Sequence, residues 1–135
     1  MTLQEKQSEF IEMFNSLESW PDRFQFLIDM GSGLDGLPEV MKCTLTQITS
    51  CNSRTFFYPS VFDGIVHIRG WSNSAIMSGL IAMLQMIFNG CQVDEIWEAK
   101  VLNTIDFHLR TDLINNLTEQ RKAGLLEMIN RVIRL

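Results

Sequence analysis

Residues 70–93, GWSNSAIMSGLIAMLQMIFNGCQV, run without a single charged side chain. The strongly apolar part, Ala75–Phe88, is only 14 residues long and is broken by Ser78, Gly79 and Gln85. That is short of the roughly 20 residues a bilayer demands. A helix that is apolar all round and too short to span a membrane has to be enclosed by protein. This run is therefore expected to be the central core helix, with Ser72 or Asn73 capping it and Asn89-Gly90 closing it. The rest of the chain must wrap around it, as one domain over residues 1–135.

The wrapping elements are legible on both sides. Thr2-Leu-Gln-Glu5 has the form of a capping box, and Leu3, Phe10, Phe14 and Leu17 recur at helical spacing, which predicts a helix over about 3–17. Trp20-Pro21 starts a second helix with Phe24, Leu27 and Ile28 on its apolar face, and Gly31-Ser-Gly33 is expected to end it through backbone angles reserved for glycine. Asp94 to about Glu98 predicts a short helix, residues 99–117 are ambiguous, and Thr118 opens a last helix whose Leu125, Ile129, Val132 and Ile133 share a face.

Between these helices the pattern changes. Ile48, Thr49, Thr55, Phe56, Phe57 and Tyr58 are β-branched or aromatic, Pro59 and Asp63-Gly64 interrupt, and Ile65–Arg69 reads as a further strand. The expected fold class is α+β, with a small antiparallel three-stranded sheet over about residues 44–70 flanked by helices. Ser50-Cys51-Asn52 falls where the first two strands would join and favours a turn.

A net charge of −5 with a pI near 4.9 argues against a nucleic-acid partner, whose phosphates draw on clustered Lys and Arg. Acidity is concentrated in residues 1–39, where eight acids face Lys6 and Arg23, while the chain from Thr118 onward is net positive. That asymmetry fits either an oriented protein partner or two solvated helix faces. The opening MTLQEKQSEF has no signal-peptide pattern, so a cytoplasmic location and no membrane association are expected. Cys43, Cys51 and Cys91 match no disulfide framework and contain no C-x-x-C, which predicts free thiols.

Cys43, Cys51, Cys91, His67 and His108 are metal-ligating types, yet none lie at the close paired spacing of a zinc site. His67 alternates within a strand and is expected to face solvent. A Cys–His nucleophile pair is permitted by residue types and supported by no local signature. Gly31-Ser-Gly33 lacks the further glycine and lysine of a phosphate loop. Cys51 remains: set among Ser50, Asn52 and Ser53 in a turn, it is poorly explained as core, and thiol chemistry needs partial exposure and polar neighbours.

The order of features resembles the SufE family of sulfur-acceptor proteins that serve cysteine desulfurases in iron–sulfur cluster assembly. The resemblance covers nearly the whole chain. Its pieces are Trp20 and the helix ending at Gly31, Leu34 and Leu37-Pro38, the stretch Ile48-Thr-Ser-Cys51-Asn-Ser53, then Gly70, Ser72, Ala75-Ile76 and Gly79-Leu80-Ile81. Leu117-Thr118, Arg121, Gly124-Leu125 and Met128-Ile129 complete it. The chain departs from the family at Ser50, where a glycine is usual, at Asn52 for glutamine, at Asn73 for an acidic residue and at Trp71, and residues 102–110 align poorly.

The resemblance implies a SufE/IscU-like fold and a sulfur-transfer accessory that stimulates a desulfurase rather than acting as an independent enzyme. It makes Cys51 the catalytic thiol, with Ser50, Asn52, Asn73 and Arg121 as loop and supporting residues. Arg121 would hold the loop or favour the thiolate, or else be a surface arginine near a helix start. The implied partners are a PLP-dependent cysteine desulfurase and an iron–sulfur cluster scaffold, with no resident cofactor beyond a transient persulfide on Cys51. Two other readings stay open: a metal- or cluster-binding scaffold, and a desulfurase-binding modulator without transfer activity.

Overall fold

The computed structural model describes all of residues 1–135. In chain order it contains α1 (Leu3–Asn15), α2 (Trp20–Gly31), β1 (Thr55–Phe62), β2 (Ile65–Ser72), α3 (Ala75–Phe88), α4 (Val93–Leu102), α5 (Phe107–Arg110) and α6 (Glu119–Ile133). Short 3-10 turns lie at Glu39–Met41 and Ile114–Asn116. The uncharged helix α3 is the hub: Ile76, Met77, Gly79–Leu84, Ile87 and Phe88 are buried, and α1, α2, α6 and β2 pack around it. No helix is long and apolar enough to cross a membrane.

Two glycines set the closest approach. A Cβ built on Gly79 would lie 2.3 Å from the Leu27 carbonyl oxygen, and one on Gly31 would lie 2.5 Å from the Gly79 nitrogen. The backbones of α2 and α3 therefore touch directly. This corrects the expected role of Gly31-Ser-Gly33: neither glycine has a positive φ, the nearest that does being Gly36, and Gly31 is small to admit α3 rather than to end α2.

The expected sheet also needs correction, since it has two strands rather than three. β1 and β2 form a hairpin from Thr55↔Ser72 to Phe62↔Ile65, closed by Asp63-Gly64 with both residues at positive φ, as a two-residue turn of this twist requires. The expected first strand contributes only a bridge of Gln47 to Phe56, with the Phe57 N–H donating to the Thr46 carbonyl and the Ile48 N–H to the Thr55 carbonyl. It stops there because residues 43–47 form a turn, in which Cys43 O accepts from the N–H groups of Thr46 and Gln47 and the Thr46 hydroxyl donates to Met41 O. Pro59 sits inside β1 opposite Ile68. The Ile68 N–H points away to the Asn89 side chain, so this pair exchanges no ladder bonds and the missing Pro59 N–H faces an open edge.

The caps follow the sequence closely, with one shift. Thr2 and Glu5 form the capping box, Ser19 caps α2 with Pro21 in its first turn, and Thr118 caps α6. α3 is capped by Ser74, one residue beyond the two expected, because Ser72 and Asn73 are engaged by β1 and the chain entering it. α4 is longer than expected. Within the ambiguous stretch 99–117, residues 104–107 are tied to α1 by buried Gln7, whose side chain donates to Thr104 O and accepts from the N–H groups of Asp106 and Phe107.

His108 is buried in α5 with its Nδ1 unpartnered. Burial pushes its imidazole below the ordinary value of 6.5, and Asp106 opposes this only in part. The unfolded chain therefore takes up this proton first as the pH drops. The His108 contribution is complete above 6.5 and is lost between there and the depressed value. Thermal melts should show a lower midpoint at about pH 5.5 than at about pH 7, with a smaller difference in His108→Gln.

Candidate functional site

Cys51 lies at the tip of the turn between the Gln47 bridge and β1, half-buried and lining a cavity of about 310 Å³. Asn52, Ser53, Ser74, Met77, Thr118, Gln120 and Arg121 complete its lining. The turn is thus brought against the N-terminal ends of α3 and α6. The Cys51 side chain packs over Gly124 of α6: a Cβ there would stand 3.3 Å from Cys51 Cβ, 3.5 Å from its Sγ and 2.9 Å from Met77 Cε. The glycine makes the seat for the thiol.

A chain of hydroxyls leads to the sulfur from the other side. Cys51 Sγ is 3.4 Å from Ser53 Oγ and 3.8 Å from Thr55 Oγ1. Ser53 and Thr55 hydroxyls are 2.9 Å apart, and Thr55 and Ser72 hydroxyls 2.8 Å apart. The Ser74 N–H donates to Ser72 Oγ and fixes the far end of the chain. With that end occupied, the hydroxyls can donate in sequence from Ser72 to Thr55 to Ser53 and so to the sulfur, while the thiol can itself donate to Thr55 Oγ1 or to the Ser53 carbonyl. Thr55 is fully buried, so Thr55→Val leaves Ser72 short of a partner. That variant should lose about 1–2 kcal/mol of stability in urea melts.

The other expected residues divide. Ser50 is exposed on the surface but bonded through both its N–H and its hydroxyl to Glu127 Oε1 of α6, at 3.1 and 2.6 Å. It does not occupy the left-handed region, so a serine here is unstrained. Asn52 is exposed at the cavity. Asn73 accepts the Arg54 N–H through Oδ1 and returns its own N–H to the Arg54 carbonyl, pinning the exit of the turn. Arg121 lines the cavity with its N–H on Thr118 Oγ1, and its guanidinium makes no hydrogen bond to the loop.

Sequence reasoning named Ser53 as a polar neighbour of Cys51 but missed Thr55, Met77, Glu127 and Arg131 as parts of the site. The spacing of Glu127 and Arg131 at i,i+4 marks them as a helical ion pair, but nothing local shows that this pair grips a segment some 80 residues away. Arg131 Nη2 donates to Glu127 Oε2 at 2.6 Å, and the guanidinium also donates to the carbonyls of Leu45 and Gln47.

The other thiols lie in different settings. Cys91 is buried, and desolvation with the nearby Glu95 pushes it up to about 11, which makes it inert. Cys43 is exposed, and hydrogen bonds from the N–H groups of Leu45 and Thr46 hold its thiol below the ordinary range. No three of the His, Cys, Asp and Glu side chains converge as a metal-binding group, and His67 faces solvent on β2.

Comparison with known proteins gives a consistent result. Residues 8–135 match the family model described as "SufE: Fe-S metabolism associated domain". The chain is 29% identical over 122 residues to the cysteine desulfuration protein SufE of Wigglesworthia glossinidia brevipalpis, covering 89% of this chain and 82% of that one. It is 28% identical over 121 residues to the sulfur acceptor protein CsdE of Escherichia coli (strain K12), covering 89% and 80%. An uncharacterized SufE-like protein of Rhizobium meliloti (strain 1021) is 29% identical over 128 residues, covering 92% and 89%. The solution structure of a hypothetical protein from Thermus thermophilus superposes with a TM-score of 0.62 at 18% identity, covering 96% of this chain and 94% of that one, a likeness of fold.

Proposed function

The chain belongs to the SufE family, and on that premise we propose that it is a sulfur acceptor in Fe-S metabolism whose Cys51 takes sulfane sulfur from a cysteine desulfurase. The observation that carries this reading is the seat of Cys51: a half-buried thiol lining a cavity, packed over Gly124 close to Met77 and within reach of the Ser53 hydroxyl.

The chemistry is thiol exchange. The Cys51 thiolate attacks the outer sulfur of a cysteine persulfide on the partner, the partner's S–S bond breaks, and the partner's cysteine leaves as a thiolate. A new S–S bond forms at Cys51, the outer sulfur keeps its proton, and no external oxidant or reductant enters. The persulfide then passes its outer sulfur to a second thiol, on a cluster scaffold, by the same step. Persulfides are lost to reductants and oxidants, and the apolar wall of Gly124 and Met77 offers the outer sulfur shelter between transfers.

The test is incubation with a cysteine desulfurase and cysteine carrying labelled sulfur. Wild-type protein acquires label that a thiol reductant removes. Label retained at the same level by Cys51→Ser would refute the assignment.

A further inference from the structure

We propose that Glu127 is a positioning residue that latches the Cys51 turn shut through Ser50, and that this latch sets how often the thiol is offered to a partner. The inference rests on the reading of Cys51 as the acceptor, and it concerns the gating of that site.

The segment that leads into Cys51 is gripped twice from one face of α6. Arg131 donates to the carbonyls of Leu45, at 3.2 Å, and Gln47, at 2.7 Å. Glu127, one helical turn earlier, receives the Ser50 N–H and hydroxyl on one oxygen and Arg131 on the other. The two charged side chains are each about a quarter exposed, 25% and 23% for Arg131 and Glu127, so water competes only in part. Hydrogen bonds to a charged acceptor are the stronger kind, and here one carboxylate oxygen takes two from a single residue.

The two grips differ in what they restrain. Arg131 holds Leu45 and Gln47, and Ile48 is further fixed by its N–H on Thr55 O and by burial, so this part of the segment stays with the fold. After the cysteine, Arg54 is fixed by Asn73. Between those anchors the backbone from Ser50 to Ser53 is tied to the body of the protein by the Ser50–Glu127 contact and by the side chains of Cys51 and Ser53. Glu127 is also one turn from Gly124, where the thiol is seated. Swinging the turn so that Cys51 leaves Gly124 therefore breaks the Ser50–Glu127 contact along with the side-chain contacts of Cys51 and Ser53, while the anchors at Ile48 and Arg54 can stay in place. A glycine at position 50 could offer only its N–H to this carboxylate; the serine of this chain adds the hydroxyl at 2.6 Å, and with it a tighter latch.

The experiment is alkylation of the native protein by iodoacetamide at fixed pH, with the rate at each cysteine read by peptide mass. Glu127→Ala should raise the Cys51 rate about tenfold, the scale set by losing charge-assisted hydrogen bonds. Ser50→Ala should raise it roughly threefold, and adding it to Glu127→Ala should bring no further rise, because both act through one contact. Glu127→Gln, which keeps an acceptor oxygen, should stay closer to wild type than Glu127→Ala. Cys43 and Cys91 should react as in wild type throughout. A Cys51 rate in Glu127→Ala within about twofold of wild type would overturn the latch, since contacts of this kind shift an equilibrium by more than that. So would a parallel rise at all three thiols, which reports a loosened fold. Should Glu127→Ala fail to fold, Ser50→Ala and Glu127→Gln carry the same contrast on the folded protein. No desulfurase takes part in this measurement, so failure of the acceptor reading would show in sulfur labelling and leave the alkylation pattern as it stands.

Discussion

Gly79→Ala should cost at least about 3 kcal/mol of stability and lower the thermal midpoint by roughly 10 °C, read by circular dichroism melts. Local propensity predicts the reverse, since replacing glycine by alanine within a helix favours the helix by about 1 kcal/mol. The sign is decided by the added methyl, which would lie 2.3 Å from the Leu27 carbonyl oxygen and 2.6 Å from its carbonyl carbon. Those are backbone atoms of a packed helix, so relief requires α2 and α3 to move apart along their shared face and open gaps around Leu27 and Leu80, both fully buried. Gly31→Ala meets the same crossing from the α2 side, 2.5 Å from the Gly79 nitrogen, and should behave alike. Gly33→Ala is the control: its new methyl meets only Met30 O at 3.5 Å, and the change should stay within about 1 kcal/mol.

Cys51→Ser should abolish stimulation of a partner desulfurase while leaving stability within about 1 kcal/mol of wild type. The hydroxyl fits the same seat against Gly124 and can join the Ser53 and Thr55 hydroxyls, so the turn keeps its shape. It is far too weakly acidic to attack a persulfide at neutral pH, and thiol exchange stops at the first step. Turnover of the desulfurase with cysteine, measured with and without the variant, separates transfer from modulation. Stimulation of wild-type size by Cys51→Ser would mean that the chain acts on the desulfurase by binding alone.

What could be read from the sequence depended on whether the signal was local. The charge-free run from Gly70 to Val93 marked α3 as the hub because a helix apolar all round has only one place to go. Thr2 with Glu5, Pro21 after Trp20, Thr118, and Asp63-Gly64 all act within a few residues and fell where expected. Family resemblance, carried by the order of short pieces, agrees with the match over residues 8–135. The third strand failed because β-branched Ile48 and Thr49 speak for a strand whereas the Thr46 side chain and Cys43 carbonyl had already committed the preceding backbone to a turn. α4 was read too short because exposed Trp97, Val101 and Leu102 blur the apolar stripe formed by Val93, Ile96 and Ala99.

The site itself was half legible. A cysteine among small polar residues in a turn could be singled out, and so could Ser72 and Asn73 just ahead of α3 and the helix bearing Arg121. Its seat could not, because Gly124 is 73 positions from Cys51 and its place among the family pieces says nothing of a contact with the thiol. The Glu127 contact spans 77 positions and joins a surface carboxylate to a surface serine, a pairing that no periodicity encodes.

Whether Cys51 carries the sulfur can be read by mass spectrometry of the protein after reaction with a cysteine desulfurase and cysteine. The expected result is a gain of about 32 Da, one sulfur atom transferred by exchange, on the peptide containing Cys51, reversed by a thiol reductant and absent from the peptides of Cys43 and Cys91. The same gain on Cys43 with an unmodified Cys51 peptide would contradict it.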